Sequence, residues 1–329
     1  MSTTELTQKA RGGLELPLRR LASAASRVRI TRRTLQVVLG LFWVIDGALQ
    51  LQPFMLRTSF AKQVLAPVGD GQPHFVAGPV QWVANIVAAH PVAWDVPFGV
   101  IQLLLGVGML VPRTARLALA ASLPWAVGVW FFGEGLSGLA SGNASLISGA
   151  PGSVVIYGVL ALAAWPRRGR SDSAPARWLP YAWAVLWLGA AVYQVLPMNN
   201  SGADLAGQIT TFPGPSWLAS AQNSLAGWVT HHGVAAVVVV AAAEALIGLT
   251  ALSRRTLSLS AIVGLVALLA IWVIGQDFGQ LYSGQATDPN TGLIGIVVAV
   301  GLLAHYCRPA TVPTAALVRQ RRELGARAA

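Results

Sequence analysis

The stretch Val234-Ala-Ala-Val-Val-Val-Val-Ala-Ala-Ala-Glu244-Ala-Leu-Ile-Gly-Leu-Thr-Ala-Leu252 decides the class of fold. It holds one charge, Glu244, in an otherwise apolar run. About twenty such residues, rising 1.5 Å each as a helix, match the roughly 30 Å hydrocarbon core of a bilayer. Similar runs recur at 35–55, 93–111, 115–132, 153–164, 181–195, 257–274 and 292–305. The fold class expected is therefore an all-α membrane protein of about eight transmembrane helices. Composition agrees: 54% of the 329 residues are hydrophobic and 11% charged, against roughly 25% charged in a soluble domain.

The formal charge of +11 would raise the question of nucleic acid in a soluble protein. Here the arginines gather in short turns: Arg113 and Arg116, then Arg167, Arg168, Arg170 and Arg177, then Arg254 and Arg255, then Arg308, Arg319, Arg321 and Arg322. That is the positive-inside pattern of a multi-pass cell-membrane protein with both termini cytoplasmic. The partner expected is the lipid bilayer, not nucleic acid. The intervening segments 56–91, 133–152, 196–232 and 275–291 carry only Arg57 and Lys62 as cations and face outward. The single cysteine, Cys307, excludes an intramolecular disulfide and any Cys-x-x-Cys relay within the chain.

The second half can be laid on the first. Trp43-Val-Ile-Asp-Gly-Ala-Leu-Gln50-Leu-Gln-Pro53 falls on Trp187-Leu-Gly-Ala-Ala-Val-Tyr-Gln194-Val-Leu-Pro197. Beyond it His90 falls on His232, Gly106 on Gly248, Trp130 on Trp272, Gly133 on Gly275 and Gly142 on Gly284, all at a spacing of 142 residues. An even number of spans per half gives two parallel four-helix repeats related by an axis along the membrane normal. The organisation expected is a basic interfacial segment at 1–33, a first unit at 34–166, a linker at 167–177, a second unit at 178–307 and a basic tail at 308–329.

The repeat exposes a pattern in the intramembrane polar residues. Gln102 occupies the place of Glu244, and Glu134 occupies the place of Gln276. Asp46, one turn before Gln50, has Ala190 opposite it, and Asp277 follows Gln276 where the first half has Gly135. Charged groups inside a bilayer cost at least about 2.5 kcal/mol, so each is a functional hypothesis. The candidates for a ligand or proton site are Asp46, Gln50, His90, Gln102, Glu134, Gln194, His232, Glu244, Gln276 and Asp277. Interhelical hydrogen bonding is the plainer alternative, above all for Gln50 and Gln194. His90 and His232 precede a helix start and fit either an interfacial position or a metal, haem or proton site; no short-spacing metal motif supports the latter. The Gly-rich outer segments either dip back into the membrane, which would put Glu134 and Gln276 on the wall of an outward cavity, or lie on the surface.

A four-helix unit with a Gly-Glu-Gly step at the end of its third span, here Gly133-Glu134-Gly135, resembles the DoxX-like group of small membrane proteins. The resemblance covers about 34–166 and, more weakly, 180–306. That group is similar to the small subunit of thiosulfate:quinone oxidoreductases, which implies a quinone-linked or redox-associated accessory role with a membrane or extracytoplasmic redox partner. The chain has no cofactor fingerprint of its own, so electron transfer would need that partner or a bound quinone. A small-solute or ion transporter, the alternative, also fits the parallel repeats and carboxylates, and a structural subunit without ligand fits the adhesive reading.

Overall fold

The computed structural model describes residues 30–166 and 175–306. Most of the expected basic interfacial segment, most of the linker, Cys307 and the basic tail lie outside the described residues. The described residues form an all-helical fold without strands. The first half contains α1 (Arg32–Gln50), α2 (His74–Ala89), α3 (Pro91–Leu110), α4 (Ala115–Gly128) and α5 (Ser153–Ala163). The second contains α6 (Leu179–Gln194), α7 (Gly202–Ile209), α8 (Ser216–His232), α9 (Val234–Ala251), α10 (Leu257–Ala270) and α11 (Asn290–His305).

Among the described residues, four helices are long and apolar enough to cross a membrane: Pro91–Leu110, Ala115–Gly133, Val234–Ala251 and Leu257–Gly275. The second and fourth are α4 and α10, each extended by a π-helical turn, at Val129–Gly133 and Ile271–Gly275. Their outward side chains, Leu104, Leu117, Val239, Leu246 and Val266 among them, are large and apolar, a surface suited to lipid. Helices α5 and α11 are apolar but shorter. The segments 56–91 and 196–232, expected as plain outer loops, instead contain α2 and α8.

Packing explains which helices pair. Helix α1 lies along α3, and α6 lies along α9. Glycines allow the first of these close approaches: a Cβ on Gly106 would sit 2.6 Å from the Gly40 carbonyl oxygen, and one on Gly47 would sit 2.8 Å from that of Gly99. Small residues at the crossing bring helix backbones together where lipid offers no hydrophobic drive. The buried core gathers Trp43, Tyr157, Trp183 and Trp187, and the halves touch through α5 and α11.

The two ends of the bundle differ chemically. At one end the capping box of Thr31 and Thr34 starts α1. There Arg33 donates to the Met109 carbonyl at 2.8 Å and to that of Leu110, while Arg32 donates to the Trp165 carbonyl. Cations on the last carbonyls of α3 and α5 complement the negative ends of those helices. The opposite end carries α2, α7, α8 and the long connections.

Candidate functional site

Asp46 and Gln50 stand one turn apart near the end of α1 and are both buried. The Tyr157 hydroxyl of α5 donates to Asp46 at 3.3 Å, and the Tyr157 ring meets Trp43 edge-on at 5.1 Å. Gln50 donates its amide to Asp95 of α3 at 2.8 Å. Asp95 is fully buried, and its second carboxylate oxygen has no partner. Two turns further along the same face of α3, Gln102 is 8% exposed and its carbonyl oxygen is likewise without a partner. The indole N–H of Trp125 on α4 is a third buried group left unpaired. Unpaired buried polar atoms are uncommon and call for an explanation.

Glu134 follows the π-helical turn after α4. It accepts hydrogen bonds from Ser137 at 3.1 Å, from Ser153 at 3.4 Å and from the backbone N–H of Val154. Its carboxylate therefore sits on the N-terminus of α5, where free N–H groups and the helix dipole favour an anion. The chain reaches this position by a left-handed turn, with φ of 52° at Gly135, 57° at Leu136, 51° at Ser137 and 78° at Gly138.

These residues surround a cavity of about 310 Å³ at the end of the bundle away from Arg32 and Arg33. Asp46, Gln50, Gln102 and Glu134 supply its polar wall, and Phe60, Phe98, Trp125 and Phe132 its aromatic wall. Thr287 and Asp288 close it from the connection that precedes α11 in the other half. Asp288 is itself held by Thr287 at 2.9 Å and by the Asn290 backbone N–H at 2.8 Å. No lysine, arginine or histidine among the described residues lines the cavity. Among the described residues no group of three His, Cys, Asp or Glu converges to hold a metal ion.

The remaining sequence candidates lie elsewhere. Gln276 accepts from the Gly292 backbone N–H at 2.8 Å, at the N-terminus of α11, and donates to the Leu146 carbonyl at 3.1 Å. Its acceptor role matches that of Glu134. Trp130 and Trp272 match too, each donating at 2.8 Å to a proline carbonyl, of Pro151 and Pro289. Glu244 is buried with one unpartnered oxygen but does not line the cavity that holds Glu134. Gln194 donates to the Asn199 carbonyl at 3.2 Å, and Asp277 accepts from Tyr282. His90 and His232 are exposed at helix junctions, His232 stacked on Trp228 at 4.1 Å.

Asp95, Tyr157, Trp125 and Asp288 were not among the sequence candidates. Asp95 has a legible signal, since it shares a helical face with Gln102; Asp288 has none, because only the tertiary fold brings its connection over the other half. Val237, 142 residues beyond Asp95, is buried in an apolar cluster with Leu205, Ile209, Val229 and Ala236. Compared with known proteins, the chain matches no family model, no curated protein and no solved structure.

Proposed function

We propose that this chain is a multi-pass membrane protein of eight spans, built as two parallel four-helix units, that holds a small molecule in the cavity of its first unit. The observation that carries the ligand is the Gln102 carbonyl oxygen, nine-tenths buried, lining the cavity and without a partner. A volume of about 310 Å³ falls at the lower end of the range for small-molecule pockets. The duplication is supported by elements that recur 142 residues apart, such as the π-helical turns starting at Val129 and Ile271 and the left-handed turns that follow them. With α1 and α6 borrowing flanking residues and α5 and α11 joining the four long helices, the span count reaches eight.

Handling of a small solute is the reading these groups favour, with α3 and α4 as the fixed wall and the Thr287–Asp288 connection as the cover. The quinone-linked, redox-associated reading keeps one observation in its favour, the unpaired Trp125 indole N–H, which fits a quinone carbonyl. A bound quinone would supply the electron-accepting chemistry; the Trp125 indole N–H would hold its oxygen and the aromatic wall would cover its ring.

The test is extraction and mass spectrometry of small molecules from protein purified in lipid nanodiscs. Wild type should carry a bound molecule that Gln102→Leu and Trp125→Phe lose and Glu244→Gln keeps. A quinone in the extract would select the redox reading. Identical extracts from all four proteins would remove the cavity as a ligand site.

A further inference from the structure

We infer that the cavity selects an organic cation, a protonated amine carrying a compact apolar group. The inference rests on the cavity being a ligand site and concerns what that site accepts.

Three carboxyl groups, Asp46, Glu134 and Asp288, line the cavity, and among the described residues no basic side chain accompanies them. Acidic residues alone would carry nothing, because internal donors already serve them: Tyr157 for Asp46, Ser137, Ser153 and Val154 for Glu134, Thr287 and Asn290 for Asp288. The independent observation is Gln102. Its carbonyl oxygen is a buried acceptor pointed at no donor of the chain, so the missing partner is an N–H or O–H of the ligand. Gln50, beside it on the wall, already gives an amide hydrogen to Asp95.

An inorganic ion fits poorly, since the carboxyls do not converge as a metal-binding group and a small ion would leave Phe60, Phe98 and Phe132 without a role. An ammonium has several N–H donors for separated acceptors. Its hydrocarbon portion would lie against the aromatic wall, whose ring faces also attract the ammonium itself. Anions meet three carboxyls and no counter-charge. The place of the cavity, at the end of the bundle away from Arg32 and Arg33, sets it toward the outer solution, from which such a cation would arrive.

The experiment is calorimetric titration of the full chain in nanodiscs with phenethylamine, cyclohexylamine, 2-phenylethanol and 3-phenylpropionate at neutral pH. At least one amine should bind about tenfold or more tighter than the alcohol, and the propionate should give no heat. Asp46→Asn and Asp288→Asn should each weaken the amine by about tenfold, while Glu244→Gln, outside the cavity, leaves it unchanged. Asp288 lies on a connection, so its variant remains informative if Asp46→Asn fails to fold. Equal binding of alcohol and amine, or amine binding unmoved by Asp288→Asn, overturns the cation assignment and leaves the cavity as a site for neutral ligands. Absence of heat from every probe overturns the cation assignment too, and the extraction experiment then decides separately whether the cavity binds anything.

Discussion

Glu134 and Gln276 show one acceptor doing the same local work with and without charge. Each places an oxygen on the N-terminus of the last helix of its half, at Val154 of α5 and at Gly292 of α11. Glu134→Gln should therefore leave the detergent melting temperature within error, since an amide oxygen already serves at the matching place. Glu134→Ala should lower stability by about 1 kcal/mol, the usual worth of a side-chain cap. Ligand retention should separate from stability: Glu134→Gln removes one of three carboxyls facing the cavity and should weaken an amine several-fold while the melting curve stays put. A melting temperature that falls as far with glutamine as with alanine would show that charge, not capping, holds the helix. The Glu/Gln exchange was legible in the sequence because the 142-residue spacing aligns the two positions. Its meaning was not, because a cap is visible only once the left-handed turn brings residue 134 back to Ser153.

At the scale of elements, the crossing of α1 on α3 depends on backbone proximity. A leucine at Gly106 would need to displace the Gly40 carbonyl at 2.6 Å, which a fixed backbone resists. Gly106→Leu should cost at least about 1–3 kcal/mol as an overpacked contact and disturb the Gln50–Asp95 hydrogen bond held across the same pair. Gly189→Ala on α6, where a Cβ meets nothing within 4 Å, should be neutral or mildly stabilising as an ordinary helical replacement. Thermal unfolding of both variants in one detergent provides the comparison, and equal melting temperatures would remove the close-packing account. The long apolar helices were legible because their composition is uniform over a bilayer's thickness. Helices α2 and α8 were missed because each begins after a proline, at Pro73 or Pro215, and mixes amides with apolar residues, so neither fits a span template.

For the molecule as a whole, the arginines gathered at one end of the bundle predict which end faces the cytoplasm. A phosphatase active only outside the cytoplasm should work when fused after Gly202 and fail after Arg170; the reverse pattern would invert the topology. Superposition of an experimental structure's halves should bring His90 onto His232 and Glu134 onto Gln276 about an axis along the membrane normal. Unrelated places for these pairs would end the duplication. The sequence carried the membrane class, the order of long helices and four of the cavity's polar residues: Asp46, Gln50, Gln102 and Glu134. It did not carry the cavity itself, since Trp125 and Asp288 converge on it from two separate elements, one of them in the other half.

That last convergence constrains assembly. The walls around Asp46 and Gln102 and the cover at Thr287 and Asp288 belong to different halves, so a half produced alone would present an uncovered site. Two unlinked halves could pair as like with like or as unlike, and only the unlike pairing puts an Asp288 cover over an Asp46 wall. Joining them in one chain fixes the stoichiometry at one wall to one cover and makes the wrong pairings a matter of exchange between molecules. The linker thus acts as a guarantee of partner choice, independent of whether its own sequence touches the ligand.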